Sequence, residues 1–281
     1  MSIKDITVIV VTFKSDKNVI NCLNSINTEC KIIIVENSNN IDFKEKIEKK
    51  FNNVECILAG KNIGYGRANN IALNKVQTKY ALVLNPDTIL SNGSLEKFNH
   101  AIKLISNFAI LAPEEQDGKI NIKNENENEI LFKTTQNVKG FAMLLKLSEF
   151  KNIGFFDESF FLYFEDIDLC KRLNNESKNI FLVSNLKIKH LGAQSSSKEI
   201  SWERELTRNW HWMWSTFYYH KKHSGFFISL LRVLPKLFSS LFKFIIYTVL
   251  KKNKKNKIYL MRFLGLVNAI KGKSSWYRPN V

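Results

Sequence analysis

Four apolar runs, each followed at once by polar turn residues, constrain the fold of this 281-residue chain most strongly. They open the stretches ITVIVVTF, KIIIVENSNN, VECILAG and YALVLNPD. Runs of β-branched residues without polar breaks are typical of strands buried on both faces of a parallel sheet. Polar segments with helical spacing separate them at about 17–27 and 42–51. This alternation predicts a three-layer α/β/α domain with a mostly parallel sheet and right-handed crossovers.

The second half of the chain alternates less regularly. The charged, Asn-rich segment 114–130 predicts a mobile surface loop. VKGFAMLL, IFLV and LKIKH predict further strands, and FEDIDLCKRL predicts a helix. In that helix Asp168 and Arg172 lie four residues apart, which favours an ion pair. From about residue 199 the pattern becomes helical.

The net charge of +16 is concentrated in the C-terminal part. Residues 1–203 contain 26 Lys and Arg against 25 Asp and Glu, whereas residues 204–281 contain 16 against the single Glu205. So sharp a change of composition indicates a functional boundary. We therefore predict one domain over residues 1–200 and a basic, aromatic, amphipathic helical region over residues 201–281.

The cysteines and the N-terminus indicate a cytoplasmic protein. The four cysteines show no CxxC pair and no metal-ligand spacing, so we expect reduced side chains packed as small hydrophobes. The chain enters a strand pattern directly, without a charged segment followed by a long apolar one, so no secretion signal is expected. The cysteines are Cys22, Cys30, Cys56 and Cys170.

Four groups of polar or small residues follow the predicted strands. Open parallel sheets bind ligands at the carboxyl ends of their strands. Each group alone fits ordinary turn chemistry, but four groups at one edge of one sheet predict a binding site. The groups are Thr12 and Phe13; Glu36, Asn37 and Ser38; Gly64, Tyr65, Gly66 and Arg67; and Asn85, Pro86 and Asp87.

Asp87 is a candidate metal ligand. A carboxylate held at a strand end by a proline-stiffened turn suits a hard divalent cation that also takes phosphate oxygens. His190, which ends LKIKH, either completes that site from another strand or is a structural histidine. A dinucleotide site is disfavoured, because GYGRANN lacks the third glycine and follows the third strand rather than the first.

Taken together, these motifs resemble a known family. VIVVTF, VENSNN, NIGYGRANN, LVLNPD, GFFDESFFLYFEDIDLCKRL and IKHLG occur in the order and rough spacing of the family-2 glycosyltransferases, over about residues 5–220. The similarity is greatest to the rhamnosyltransferase-like branch. It implies a GT-A fold in which residues 1–200 form the nucleotide-sugar-binding and catalytic domain. It also implies inverting transfer of a rhamnose-like or other hexose from a dTDP-, UDP- or GDP-linked donor.

The resemblance further implies individual roles. Asp166 matches the catalytic base, and Asp87 and His190 match the metal and diphosphate site, with Mg²⁺ or Mn²⁺ as the cofactor. The residues implied to bind the donor are Thr12, Phe13, Glu36, Asn37, Asn62, Gly64, Arg67 and Asn85, and those expected in the acceptor pocket are Gly140, Tyr163 and Glu165.

Two positions depart from the family pattern. Glu36 stands where the family more often has Asp, which alters the expected nucleoside contacts. Asn85 opens a motif that is often Asp-x-Asp, which leaves Asp87 as its single carboxylate. We therefore expect weaker metal affinity, or a larger share of the coordination from donor phosphate.

Asp166 has the surroundings of a general base. A base must lie within about 3 Å of the acceptor hydroxyl whose proton it takes. Asp166 follows the aromatic run of Phe161, Tyr163 and Phe164, and semi-burial among aromatics raises the proton affinity of a carboxylate. Those aromatics can also form an apolar platform for a sugar face.

The segment 226–250 is long enough to span a bilayer, but Arg232, Pro235, Lys236 and Lys243 interrupt it. On a helix its three basic residues fall within about 40° of one another, beside a broad apolar face. This pattern is typical of a helix in the membrane interface. KKNKKNK would bind anionic headgroups, and RNWHWMWSTFYYHKKH would add Trp and Tyr at their boundary. We predict peripheral attachment through residues 210–257 to the inner face of the cell membrane.

Several alternatives stay open. The basic region could be a helical subdomain packed on the catalytic domain, or an oligomer interface; no nucleic-acid fold is evident, so no nucleic-acid partner is expected. The expected acceptor is a hydroxyl of a cell-surface glycan, such as an O-antigen, or of a lipid-linked oligosaccharide. The competing functions are a polyprenyl-phosphate sugar transferase and a non-catalytic nucleotide-sugar-binding protein of the same fold.

Overall fold

The computed structural model describes residues 2–114, 130–186, 188–190 and 198–278. The predicted loop 114–130 therefore lies almost wholly outside the described residues, as do Leu191 and Gly192 of the IKHLG motif. The strands are β1 (Ile6–Thr12), β2 (Lys31–Glu36), β3 (Val54–Leu58), β4 (Tyr80–Leu84), β5 (Thr88–Leu90), β6 (Ile110–Pro113), β7 (Phe132–Thr134), β8 (Ala142–Lys146), β9 (Ile180–Val183) and β10 (Ile188–His190). The α-helices are α1 (Asp16–Asn24), α2 (Ile41–Lys50), α3 (Tyr65–Leu73), α4 (Ser94–Leu104), α5 (Glu165–Asn175), α6 (Lys198–Ser224), α7 (Phe226–Val249) and α8 (Asn253–Ile270).

Eight strands form one mixed sheet in the order β3-β2-β1-β4-β8-β6-β9-β7. β1 lies between β2 and β4 and is parallel to both, and β2 is parallel to β3. β8 enters antiparallel between β4 and β6. A separate antiparallel pair joins β10 to β5. The mostly parallel sheet predicted from the apolar runs is confirmed.

Side chains of β1 show why the runs are almost wholly apolar. Val8 and Val10 pack into one apolar layer together with residues of α1, α2 and α4. Ile9 and Val11 point to the other face and pack with residues of α3 and α5. Because successive strand residues face opposite sides, a strand covered by helices on both sides needs apolar residues at nearly every position, and the buried Thr7 hydroxyl is hydrogen-bonded to that of Thr78 at 2.8 Å. The predicted three-layer α/β/α architecture is confirmed.

All four cysteines are free and buried in the described structure. Burial raises the pKa of Cys22, Cys30, Cys56 and Cys170 to about 12. A thiol with so high a pKa carries almost no thiolate at neutral pH and is a poor nucleophile. The prediction of reduced cysteines packed as small hydrophobes fits these positions.

The chain divides into two compact units. The first comprises Met1–Asp157 and Asp166–Ser195, and the second comprises Glu158–Glu165 and Ser196–Val281. The C-terminal unit therefore begins close to the predicted boundary after residue 200, but it also takes in an eight-residue aromatic segment from the middle of the chain. The division into domains at residue 200 stays a prediction.

Three helices, α6, α7 and α8, build the core of the second unit. Trp210, Met213, Trp214 and Phe217 of α6 pack with residues of α7 and α8 in one apolar cluster. A Cβ added at Gly265 of α8 would overlap the backbone carbonyl oxygen of Trp210, so α6 and α8 approach closely at this point.

The expectation that residues 210–217 supply aromatics to a membrane boundary is wrong for Trp210, Trp214 and Phe217. Trp210 and Trp214 are 1% and 4% exposed, and Phe217 is fully buried. These rings fill the core of the helical unit, because α6 is covered by both α7 and α8. Trp212, which is 45% exposed, is the tryptophan of this stretch that still faces outward.

Helix α7 turns its largest side chains outward. Its buried positions include Ser229, Val233 and Ser240, and its exposed ones carry large apolar groups. Within the described part of the chain, no helix combines the length and hydropathy that crossing a bilayer requires. The exposed apolar residues of α7 are Phe226, Phe227, Ile228, Leu231, Phe238, Phe242, Ile245 and Val249.

The predicted ion pair on α5 is confirmed. Arg172 Nε donates to Asp168 Oδ2 at 2.8 Å, and Asp168 is fully buried. The same guanidinium donates to the carbonyl oxygens of Ile153 and Gly154 at 2.8 and 3.1 Å, and also to that of Phe155. The pair therefore fixes the turn at 153–155 against α5.

Replacing Asp168 with Ala should lower the free energy of unfolding by about 3–5 kcal/mol, because it removes a fully buried carboxylate and leaves a partly buried guanidinium without its counter-ion. Urea unfolding of the full chain, followed by circular dichroism, measures the loss. Glu55→Gln is the matched control. Glu55 is exposed and pairs with Lys31 at 3.3 Å, so it should cost less than about 1 kcal/mol. Equal costs for both variants would contradict a structural role for Asp168.

Candidate active site

The carboxyl ends of β1, β2 and β4 meet at one edge of the sheet. Thr12 is in register with Glu36, and the Asn37 amide donates to the Thr12 carbonyl at 2.8 Å. The Thr12 side chain is 1% exposed, and its hydroxyl has no hydrogen-bond partner in the described part of the chain. A buried hydroxyl without a partner costs free energy, so this atom is suited to a ligand that enters at the strand ends.

Asn37 ties the loop before α3 to this edge. Its side-chain Nδ2 donates to Asn62 Oδ1 at 3.1 Å and to the Gly64 carbonyl at 3.4 Å, and its Oδ1 accepts from the Ile63 amide at 2.9 Å. Gly64 precedes α3 with φ of 93°, which favours glycine. The structure thus brings three predicted donor-binding residues together: Asn37, Asn62 and Gly64.

Three other residues are predicted to bind the donor: Glu36, Phe13 and Arg67. The Glu36 carboxylate accepts from the Ser38 amide and hydroxyl at 3.0 and 2.5 Å and from the Asn40 amide at 2.6 Å. It stabilises the turn after β2, so a nucleotide would use its remaining lone pairs. Phe13 is half-buried after β1, and Arg67 is exposed on the first turn of α3.

The NPD motif forms a turn that presents Asp87 to β10. The carbonyl of Asn85 accepts from the Thr88 amide at 3.2 Å and from its hydroxyl at 2.6 Å. Asp87 Oδ1 lies 3.2 Å from His190 Nε2, and the His190 ring stacks on Phe141. The hydrogen bond to Asp87 raises the pKa of His190. The two predicted metal ligands therefore meet, although they come from distant parts of the sequence.

The Asp87–His190 pair has the chemistry of part of a metal site. Carboxylate oxygen and imidazole nitrogen both suit Mn²⁺, and a carboxylate suits Mg²⁺. Among the described side chains, no group of three or more His, Cys, Asp or Glu residues converges as a complete protein site would need. These two residues fit a metal only if other oxygens, such as those of a diphosphate, supply the remaining positions.

Asp166 is held by backbone amides at the start of α5. Its Oδ2 accepts from the Gly140 amide at 2.9 Å, and its Oδ1 accepts from the Ile167 amide at 2.8 Å. Desolvation raises the pKa of Asp166, and the residue is half-buried. A half-buried carboxylate with raised proton affinity can take a proton from a hydroxyl that comes within hydrogen-bonding distance.

Gly140 links Asp166 to α3, a connection the sequence did not reveal. The Tyr65 hydroxyl donates to the Gly140 carbonyl at 2.7 Å, so Gly140 bonds through its amide to Asp166 and through its carbonyl to Tyr65. Gly140 therefore lies next to Asp166, and its place in an acceptor pocket stays a prediction. Tyr65 lies in the GYGR motif, and its place beside two glycines was the signal that could have singled it out.

Lys139 was also missed. Its positive charge acts on both Asp166 and His190, lowering the pKa of each against the larger effects of desolvation and the Asp87 hydrogen bond. The candidate base and the candidate metal ligand therefore share one cationic neighbour. A lysine just before a glycine in VKGFAM is too common a pattern to predict this.

Tyr163 and Glu165, the other expected acceptor-pocket residues, belong to the second unit. Glu165 is 7% exposed, and Tyr163 is half-buried with its ring against Trp212. Their meeting with Gly140 in one pocket stays a prediction.

The family model described as Glycosyl transferase family 2 matches residues 7–170. Two curated proteins are similar in sequence. The low-salt glycan biosynthesis hexosyltransferase Agl10 of Haloferax volcanii is 25% identical over 198 residues, covering 63% of this chain and 64% of the relative. Rhamnosyltransferase WbbL of Escherichia coli K12 is 27% identical over 190 residues, covering 56% of this chain and 71% of the relative.

The chain spans slightly less than two thirds of the first of these relatives. Among solved structures, the mannosyltransferase PcManGT from Pyrobaculum calidifontis, in complex with GDP-Man and Mn²⁺, superposes with a TM-score of 0.57. The match covers 96% of this chain and 88% of the other, at 10% sequence identity. The TM-score supports a shared fold. At so low a sequence identity, the match says nothing of a shared substrate.

Proposed function

The chain belongs to glycosyl transferase family 2, and we propose on that basis that it transfers a hexosyl group from a nucleotide diphosphate sugar to a saccharide hydroxyl, with inversion. One observation supports this most: Gly140 joins the candidate base to the first turn of α3. Its amide donates to Asp166 and its carbonyl accepts from Tyr65, and the charge of the preceding Lys139 lowers the pKa of both Asp166 and His190.

We propose that the nucleotide part of the donor binds along the edge formed by β1 and β2. The unpartnered Thr12 hydroxyl and the network of Asn37, Asn62 and Gly64 provide hydrogen-bonding groups there. Phe13 and Arg67 would add a ring face and a positive charge, and Asn85 an amide near the diphosphate. The donor is a dTDP-, UDP- or GDP-linked sugar.

Asp87 and His190 are proposed to hold Mg²⁺ or Mn²⁺ together with the donor diphosphate. When bound, such a metal supplies positive charge where the departing nucleoside diphosphate gains negative charge. Lys139 adds a fixed positive charge nearby, as its effect on His190 shows. PcManGT, which shares the fold, was solved with GDP-Man and Mn²⁺.

Asp166 is proposed as the general base. It takes the proton of the acceptor hydroxyl while the acceptor oxygen forms a bond to the anomeric carbon of the sugar. The bond from that carbon to the diphosphate breaks on the opposite face, and its electron pair leaves with the nucleoside diphosphate. The amides of Gly140 and Ile167 hold the carboxylate in one orientation throughout. A polyprenyl-phosphate acceptor, already ionised, would have no use for this base.

Asp166→Asn should lower kcat by about 10²–10⁴-fold and leave donor affinity largely unchanged, because an amide cannot accept the proton. Release of nucleoside diphosphate in the presence of acceptor measures turnover, and donor-induced thermal stabilisation measures binding. Glu176→Gln, which alters an exposed carboxylate just beyond α5, is the control. Normal turnover in the Asp166 variant would rule out its role as base.

The rate of the unaltered protein should also fall on acidification, since only ionised Asp166 accepts a proton. Because desolvation raises the pKa of Asp166 above its ordinary value of 3.8, the acid limb of kcat should have its midpoint above that value. A pH–rate profile at saturating donor locates it. A limb at or below 3.8 would contradict the assignment.

Asp87→Ala should remove the part of donor binding that depends on metal, because it deletes the single carboxylate of the NPD turn. The test is thermal unfolding with dTDP-, UDP- and GDP-sugars, each with and without Mn²⁺. The parent protein should gain stability from Mn²⁺ plus its true donor, and the variant should lose that gain. Glu45→Ala, at an exposed site on α2, should behave as the parent. An unchanged metal response would count against Asp87.

We further propose that α7 rests on an anionic membrane surface, where a lipid-linked or cell-surface glycan acceptor would be presented. Phe227, Phe238 and Phe242 are 79%, 63% and 65% exposed, so a long apolar face is turned outward. Arg232, Lys236 and Lys243 flank it, and the exposed lysines of KKNKKNK follow. Because most residues of the stretch 210–217 are buried in the helical core, the proposed membrane contact comprises about residues 226–257 rather than 210–257. The membrane face that these residues contact is the cytoplasmic one.

The double variant Phe238→Ser and Phe242→Ser should weaken binding to phosphatidylglycerol vesicles at least about tenfold, since each buried phenyl ring contributes about 2 kcal/mol. Co-sedimentation of the full chain measures the bound fraction. Ile41→Ser, an equally exposed apolar site on α2, is the matched control. Unchanged sedimentation of the double variant would contradict the membrane proposal. An oligomer interface would then explain the exposed apolar face of α7.

A further inference from the structure

Trp212 stands apart from the other tryptophans of α6. Trp210 and Trp214 point into the helical core, whereas Trp212 is 45% exposed. Its ring lies edge-on to Tyr163 at 5.2 Å between centroids and tilted against Phe164 at 5.3 Å. Three aromatic rings from two segments of the second unit thus form one outward-facing cluster.

The backbone that carries two of these rings is unusual. Tyr163 and Phe164 both have positive φ, 69° and 71°. Bulky residues rarely adopt this conformation, and two in succession persist only where the surroundings hold them. Such strain is concentrated at ligand sites more often than in ordinary loops.

One face of α6 supplies the residues that hold this segment. Ser215 donates to the Leu162 carbonyl at 2.9 Å, and Tyr219 packs on Phe164 at 5.4 Å. Together with Arg208 and Trp212 these residues recur at intervals of four, three and four, which places them on one helical face. Phe160 and Phe161, just before, are buried and anchored by contacts with Tyr218 and His211.

Arg208 adds a polar group beside the rings. Its Nε donates to the Tyr163 hydroxyl at 2.6 Å, and the side chain is exposed. The two terminal amino groups of the guanidinium make no hydrogen bond to any residue that the structure describes. They can therefore donate to an oxygen of a ligand that lies on the rings.

From this cluster we infer that Trp212, Tyr163 and Arg208 form a saccharide-binding subsite for the acceptor. A pyranose ring has an apolar C–H face and a rim of hydroxyls, which match an exposed indole face and a neighbouring guanidinium. The inference rests on the proposed glycosyltransferase function, since it assigns the site to the acceptor. Tyr163 precedes Asp166 by three residues in the chain. Because Asp166 is the proposed base for the acceptor hydroxyl, we assign the subsite to the acceptor rather than to the donor.

The test uses saturation-transfer NMR on the full chain with methyl glycosides of hexoses, 6-deoxyhexoses and N-acetylhexosamines. The parent protein should saturate ring protons of at least one class. Trp212→Ala should weaken that binding about tenfold, and Trp212→Phe, which keeps an aromatic face, should retain most of it. Arg208→Gln should weaken it as well. Trp276→Ala removes another exposed tryptophan of the same unit and should have no effect.

Three outcomes would overturn the subsite: no glycoside signal from the parent protein, equal losses in the Trp212 and Trp276 variants, or loss of vesicle binding in Trp212→Ala with glycoside contacts intact. The last outcome would assign the Trp212 ring to the membrane.

Donor-induced thermal stabilisation should be unchanged in Trp212→Ala. Glycoside binding without any donor response would refute the proposed function and leave the subsite standing, and the reverse result would refute the subsite alone.

Discussion

Burial of β1 on both faces is the constraint on which the rest of the first unit depends. Val8 and Val10 fill one apolar layer and Ile9 and Val11 the other, and the polar Thr7 is buried only because its hydroxyl is hydrogen-bonded to that of Thr78. Polar side chains that face a ligand therefore come after the strand ends. β2 and β4 flank β1 in the same direction and obey the same rule. The polar residues that follow the strands are therefore forced to one edge of the sheet, and a binding site there is a consequence of how the core is covered.

The same constraint explains how much the sequence could predict. The three-layer fold and the Asp168–Arg172 pair follow from strand ends and helical spacing, whereas the meeting of Asp87 with His190 was left open by the residues and implied by the family resemblance. The bond of Tyr65 to Gly140 and the influence of Lys139 on the site could not be found that way, although Tyr65 was among the residues expected at the strand ends. Both residues act through Gly140 and its neighbours, in a loop whose path depends on β8 pairing antiparallel with β4. A local pattern gives no information about such long-range pairing.

For Trp210 and Trp214 the sequence-based prediction was made but was wrong. Their spacing and basic neighbours favoured a membrane boundary, yet they are buried between helices. Composition reports that a residue prefers an apolar surface but not whether protein or lipid provides it. Helix α7 separates the two cases, because its small residues face inward and its large ones outward. An inverted helix of this kind is recognised only when its neighbours are known.

The chain crosses between its two units at Glu165 and Asp166, inside a single helix. Phe160 and Phe161 lie on one side of that crossing and are covered by α6, which begins more than thirty residues later in the chain. A protein shortened to its first two hundred residues would keep these rings and lose the helices that shield them. The C-terminal helices are thus not a detachable module: gain, loss or exchange of this region during evolution would have to change the aromatic insert at the same time.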